Sequence, residues 1–443
     1  MDSEIFEKLP PTKLFFRCAV PSMITMAFGA LYQIADGIFV GRFIGGDALA
    51  AINLIMPIIM TVFAFANMIA TGASVRIGVL LGEKKQQEAS QAFSSSLKII
   101  FLVGIILGIL GYFFAKPFVR FLSPGATENA VLYGVTYIRM YAVFSPFLLL
   151  SHALDNFLRV CGKEKLSMWL SIIFQGLNIV LDIILIAFLG QGIWAAAFTS
   201  CISMALAAII SIFIFRKKRL DLYYTRKNIR LKEFLKILAN GSSEFFSNIS
   251  MSVMSIGYNF FLLKYGGTTA VAAFSVIMYV DSIIGMLVFG MCDAMQPALS
   301  YCYGAKLFEK IKALLKRIVI ASLILSALST LFMFFLGPIV APIFVKPEDT
   351  DLLKVSIIAM KFFSLSYMTG WIDMCFSSVF TALERPARSF VTSLFGTIIF
   401  PFLFLFILPN FWDLNGVWLT PLFSCTVSAM FTFILIKTMK LQK

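Results

Sequence analysis

A chain of 443 residues that is 60% apolar and 14% charged has too little polar surface for a soluble fold, in which about a quarter of residues are usually charged. The formal net charge of +14 invites a nucleic-acid reading. The basic residues, however, fall in short connections between apolar runs, where they act as topology signals and meet anionic headgroups. Composition therefore calls for a membrane and against nucleic acid as a partner.

Met1 to Lys13 carries acids and a Pro10–Pro11 pair. It lacks the basic flank, short apolar core and small-residue cleavage site of a signal peptide, so it is expected to be retained. Apolar runs then follow at about 14–41, 50–80, 95–115, 131–158, 167–189 and 193–215, and after a basic stretch at about 237–264, 270–302, 314–343, 352–381, 389–409 and 415–436. Each can cross a hydrocarbon core of about 30 Å. Several are longer than that needs and should tilt, kink or project beyond it. The reading is an all-α polytopic membrane protein with twelve transmembrane helices.

Lys84–Lys85, Arg216 to Arg219 with Arg226 to Lys236, Lys306 to Arg317, and the tail Lys437 to Lys443 all lie on one side of that topology. The positive-inside rule makes this side, with both termini, cytoplasmic, in a cell membrane. Residues 216–236 form the one long polar connection, read as a solvated linker facing headgroups. The chain thus divides into an N-lobe, 1–215, a basic linker, 216–236, and a C-lobe, 237–443.

The two halves repeat. At an offset of about 222 residues, Gly45, Ala50–Ala51 and Gly82 fall on Gly267, Ala272–Ala273 and Gly304. Slightly further along, Gly192-Ile193-Trp194 meets Gly416-Val417-Trp418. An even number of helices per half makes the repeats parallel, related by an axis along the membrane normal, with a central cavity between pseudo-symmetric lobes.

Charges inside spans are rare and costly, about 2.5–3.5 kcal/mol at mid-membrane, so each is a functional candidate. In the N-half these are Asp36, His152, Asp155 and Asp182, joined by Asn156, Asn178 and Thr199. In the C-half they are Glu244, Asp281, Asp293, Lys361 and Asp373. Tyr32 and Asp36 are four apart, as are Asn178 and Asp182, so each pair shares a helix face. Two carboxylates, an amide and two hydroxyls form a hard-oxygen set suited to Na⁺. Two carboxylates sharing a low-dielectric pocket can equally hold a proton near neutral pH. A helix-packing hydrogen-bond network is the bland alternative for the amide and hydroxyls. Asp281, Asp293 and Asp373 could line a cavity that attracts a cation. Pro21 kinks the first span and could serve as a hinge. His152 is the one histidine, so a proton relay would rest on carboxylates. The repeat sets Asp36 against Tyr258, and Asn178 and Asp182 against Phe400 to Phe406; the polar pocket belongs to one half only. The seven cysteines, Cys18, Cys161, Cys201, Cys292, Cys302, Cys375 and Cys425, show no CxxC or metal-ligand spacing, so neither a disulfide nor a metal cluster is expected.

Pro21…Tyr32-x3-Asp36-Gly-Ile-Phe-Val-Gly-Arg42…Gly45-Gly46…Ala50-Ala51, Asn156-Phe-Leu-Arg159-Val-Cys-Gly162 and Asn178-x3-Asp182 resemble the multidrug and toxic compound extrusion (MATE) transporters, in their bacterial and archaeal multidrug-exporter branch. The resemblance covers essentially the whole chain. It implies a V-shaped, two-lobe exporter that exchanges organic cations for Na⁺ or H⁺ while rocking between outward- and inward-open states. It also implies a cation-coupling site at Tyr32, Asp36, Asn178, Asp182 and Thr199, with Na⁺ possible at Asp36, Asn178, Asp182 and Thr199. A substrate cavity involving Asp36, Glu244, Asp373 and Asp293 follows, the C-lobe matches being looser. Small-molecule organic cations and membrane lipids are the expected partners, with no cofactor beyond the coupling ion and a monomer as the unit. The alternative is a flippase for lipid-linked or polysaccharide precursors; its cavity would be lined by cations, whereas the charges in the spans here are mostly acidic, Arg139 and Lys361 excepted. An intramembrane enzyme is disfavoured, because no HExxH, paired GxGD-type aspartates or Ser/His arrangement is present.

Overall fold

A computed structural model describes residues 2–122, 127–217, 220–344 and 349–438. Lys218 and Arg219 of the basic linker, and the tail beyond Thr438, lie outside them. The described residues form helices and no strand, as a lipid environment demands, since a helix satisfies every backbone group within its own segment.

Twelve helical spans follow in order among the described residues. The first six are α1 (Pro11–Ile44), α2 (Gly46–Gly82), α3 (Gln86–Leu122), α4 (Glu128–Val160), α5 (Glu164–Phe188) and α6 (Ile193–Arg216). Residues 231–304 are nearly continuous helix but turn back at Gly267, whose φ of +64° is open to glycine. That break separates α7 (231–266) from α8 (268–304). Then come α9 (Phe308–Pro342), α10 (Thr350–Ser364 and Tyr367–Ala382, bent by 52°), α11 (Pro386–Ile407) and α12 (Pro409–Lys437). Many run past the expected apolar limits. α3 begins at Gln86 rather than near 95 because Gln-Gln-Glu-Ala-Ser-Gln is helix-compatible and simply continues the helix into water.

The packing defines a V. Near the termini, one hydrophobic core runs through both halves and joins Leu14, Ile77 and Leu154 to Met291, Leu299 and Val379. Toward the opposite face the core splits. Ile55, Val119 and Ile186 belong to a cluster made by the first six helices alone. Phe261, Ile277 and Leu405 belong to one made by the last six alone. Two lobes therefore share a base and part above it.

The base is closed along α2 and α8, at equivalent points of the repeat. A Cβ on Gly82 would lie 2.2 Å from the carbonyl oxygen of Tyr301, and one on Gly304 would lie 2.0 Å from that of Val79. Gly82 and Tyr301 are the repeat equivalents of Gly304 and Val79, so the contact is reciprocal and the pseudo-two-fold axis passes between them. The N-terminal turn clasps the same base. Phe6 is fully buried, Glu7 pairs with Lys84 at 3.0 Å, and the Glu7 carbonyl accepts from Lys310 at 2.7 Å.

Three details depart from the sequence reading. The 216–236 connection is not a free solvated linker. Leu222 is fully buried, Asp221 accepts the Ser3 amide at 2.6 Å, and the amides of Thr225 and Ile229 donate to Ser94 and Ser95 of α3 at 2.9 and 3.1 Å. Hydroxyls on the polar start of α3 give the strap partners that water would otherwise supply. Leu231 to Lys236 already belong to α7. Finally, Cys292 and Cys375, 83 residues apart, form a disulfide, where spacing along the chain suggested none; the pairing arises from α8 crossing α10, which local spacing does not encode.

Candidate functional site

α1, α5 and α6 bring the N-lobe polar residues together. The Tyr32 and Ser200 hydroxyls are 3.0 Å apart, and the Asn178 amide donates to Ser200 Oγ at 3.1 Å. Thr199 Oγ1 donates to Asp182 Oδ1 at 2.5 Å. Asp36 lies within electrostatic range of Asp182. Asn178, Asp182, Thr199 and Ser200 are all buried, so the pocket lies inside the lobe with Tyr32 and Asp36 as its less enclosed members.

Local backbone geometry serves the same point. Immediately after Asp182, and four residues after Asp36, each helix widens into a π-turn, Ile183–Phe188 and Val40–Ile44, closed by Leu189 N–H to Ile184 O and Gly45 N–H to Val40 O, both 3.0 Å. The two wide turns pack against one another. Such turns interrupt the regular ladder and recur at functional sites; here they flank both carboxylates.

Three buried oxygens of this pocket, Asp36 Oδ1, Asn178 Oδ1 and Asp182 Oδ2, receive no hydrogen bond from the protein. Buried acceptors of this kind call for a hydrogen-bond donor or a cation. Two carboxylate oxygens and an amide oxygen fit Na⁺, a hard cation that takes oxygen ligands, and a proton shared by two carboxyl groups meets the same need. No cluster of three or more His, Cys, Asp or Glu suited to a transition metal occurs among the described residues.

The sequence did not single out Ser200, Tyr137 and Tyr141. Ser200 is the hub that links Tyr32 to Asn178. Tyr137 and Tyr141 of α4 stack at 5.0 Å and share the field of Tyr32 and Asp36. Their i,i+4 spacing was the available signal, but without a charge it looks like any aromatic helix face.

The other candidates lie apart. Arg159 Nη2 pairs with Asp155 at 2.7 Å and Nη1 with Asp293 at 3.1 Å, and the guanidinium also donates to Ser22 of α1 and Ser167 of α5 at 3.4 and 3.3 Å. Ser167 also donates to Asp155. This buried cluster joins the lobes across the base. Glu244 lies beside Asp293 and Gln296. Asp373 stays within the C-lobe, accepting from Thr432 at 2.7 Å, with Gly396 packed over it. The residues expected to line a substrate cavity thus have different immediate partners, Asp36 in the N-lobe pocket and Glu244 beside Asp293. Asp293 neutralises an arginine in the seam, and Asp373 is turned into its own lobe. Asp281 accepts from Tyr367 at 2.8 Å, and His152 packs edge-on against Phe63 at 4.9 Å. Pro21 is buried in α1, which continues through it, and its carbonyl accepts from Thr25 at 3.0 Å.

Across the repeat, Tyr258 at the place of Asp36 stacks on Phe274 at 5.2 Å. Phe400 and Phe404, at the places of Asn178 and Asp182, face Phe431 and Phe423. Aromatic packing fills in one lobe the space that carboxylates hold in the other.

Comparison with known proteins accords with this geometry. The chain is 24% identical over 442 residues to the multidrug export protein MepA of Staphylococcus haemolyticus, covering 98% of this chain and 95% of that protein. It is 26% identical over 443 residues to MepA of Staphylococcus aureus strain MSSA476, with the same coverage. Among solved structures, an outward-facing conformation of a multidrug resistance MATE family transporter matches with a TM-score of 0.89 and 25% identity, over 98% of this chain and 96% of that one. A MOP superfamily transporter from Pyrococcus furiosus shares the fold with a TM-score of 0.92 at 24% identity, over 98% and 97%. The MatE family model matches residues 21–184 and again 245–407, once in each lobe, and the chain belongs to the MatE family.

Proposed function

We propose that this protein exports amphipathic organic cations across the cell membrane by alternating access, in exchange for Na⁺ or H⁺ bound at Asp36 and Asp182. The observation that carries the reading is the pair of buried carboxylates with unpartnered oxygens, inside one lobe of a V that parts on the face away from the termini. The basic connections support a cytoplasmic terminal face, and on that reading the V opens outward. The multidrug-export names of the relatives support the substrate class. Tyr32, Asn178 and Thr199 complete the site, residues 1–215 and 237–443 move as two bodies, and Pro21 is the point at which α1 bends. The unit is a monomer.

Entry of one monovalent cation down 100 mV supplies about 2.3 kcal/mol. That drive does work only if cation and drug compete for Asp36 or favour opposite conformations. Asp36→Asn and Asp182→Asn are expected to abolish dye efflux from energised vesicles, whether a Na⁺ or a pH gradient is imposed, with normal amounts of protein in the membrane. Wild-type efflux from either variant would sink the proposal.

A further inference from the structure

Two cations in the lobe walls are left unused by the transport site. Arg139 of α4 stands over the ring of Tyr112 of α3, 5.3 Å from its centroid, and Lys361 of α10 stands over Phe334 of α9 at 5.8 Å. The pairs are repeat equivalents. The offset that places Gly82 on Gly304 places Arg139 on Lys361 and Tyr112 on Phe334. Neither identity is kept between the halves, yet the cation and the aromatic platform beneath it are kept in both. This is unlike the carboxylate pocket, which one half has lost.

Neither cation has a carboxylate within ion-pair distance among the described residues, and both are exposed. Their surroundings are apolar. α3 packs mainly on α2 and α4 of its own lobe and leaves Ile105, Ile109 and Phe113 exposed, while α9 leaves Leu328, Leu331 and Phe335 exposed. Each cation lies about 16 Å along its helix from the end on the open face, at 1.5 Å per residue from Glu128 and from Thr350. Each helix is about 50 Å long, so the charge stands about a third of the way in from the open face, with its long side chain free to extend toward that interface. A long basic side chain there reaches the interface and attracts an anionic headgroup.

We propose that Arg139 with Tyr112, and Lys361 with Phe334, form two equivalent sites for the phosphodiester headgroup of an anionic phospholipid, one on the outer wall of each lobe. The cation pairs with the phosphate, the ring holds the cation in place from below, and an acyl chain lies along the apolar face of α3 or α9. Charge complementarity on an apolar wall selects this occupant.

Native mass spectrometry of the full chain in detergent, titrated with phosphatidylglycerol and with phosphatidylcholine of the same acyl chains, tests the proposal. The wild type should take up two phosphatidylglycerol molecules, each about fivefold more tightly than phosphatidylcholine, which is what one basic residue near a membrane surface is worth. Arg139→Gln and Lys361→Gln should each lose one, and the double variant both. The exchanges Arg139→Lys and Lys361→Arg, which keep charge and fold, should retain them. Lys264→Gln removes a cation that stands over its chain neighbour Tyr265 at 5.0 Å and should leave the count at two. An unaltered lipid preference in the double variant, or an equal loss in Lys264→Gln, overturns the assignment.

Discussion

Asp293→Asn should open the base of the V. Asp293 is the member of the Arg159 cluster contributed by the opposite lobe, through a 3.1 Å hydrogen bond between side chains that are 7% and 17% exposed. A hydrogen bond to a charged partner at such a site contributes about 1.5–3 kcal/mol. Asparagine keeps the shape and loses the charge, while Arg159 keeps Asp155 at 2.7 Å within its own helix. The loss thus falls on the contact between lobes and not on the fold of either. At about 2 kcal/mol, the ratio of closed to open base should fall roughly thirtyfold. Asn53 of α2 and Ser275 of α8 are exposed repeat equivalents on the parted side. Spin labels attached there through a ketone-bearing unnatural amino acid would report the separation of the lobes by double electron–electron resonance. The variant should gain a population at shorter distance, as the open face closes when the base parts. Asp155→Asn, which leaves the bond between lobes in place, should change the distribution much less. Identical distributions for wild type and Asp293→Asn would refute the reasoning.

Gly82→Ala and Gly304→Ala each put a Cβ into a backbone carbonyl across the seam; each should weaken the closed base by about 1–3 kcal/mol and shift the same distance distribution in the same direction by similar amounts. Thr199→Val removes the 2.5 Å donor to a buried carboxylate oxygen of Asp182; thermal unfolding in detergent should show a loss of about 1–3 kcal/mol, with no loss of expression. Arg76→Gln breaks contacts to Glu233 at 2.9 Å and Glu384 at 3.2 Å, which also join the lobes. These groups are partly exposed, so the effect should be at most about 1 kcal/mol and should vanish in unfolding measured at 1 M salt, where exposed charges are screened.

Helix number, the repeat and the N-lobe pocket were legible because each leaves a local mark. A span is a run of apolar residues, a repeat is a fixed offset, and Tyr32 with Asp36, or Asn178 with Asp182, is a helical spacing. What stayed hidden depends on contacts between distant segments. Asp293 reads from the sequence as a carboxylate that could line a cavity, and only its position opposite Arg159 makes it half of an ion pair. The strap at 220–229 is polar by composition, yet it is ordered by serines more than a hundred residues earlier. The π-turns after Asp36 and Asp182 share no sequence signature, since Ile183–Phe188 is wholly apolar whereas Val40–Ile44 carries Arg42.

The reciprocal contact of Gly82 and Gly304 bears on ancestry. A surface patch that meets its own copy across a two-fold axis is the kind that lets two identical subunits pair, and parallel halves allow such pairing within one membrane without inverting either. Two identical subunits, however, must carry every charge twice. Joined in one gene, the copies are free to diverge, and one can hold Asp36 and Asp182 while the other fills the same space with Tyr258 and Phe404. Fusion thus permits a carboxylate pocket in one lobe only, on a frame that is otherwise built like a dimer.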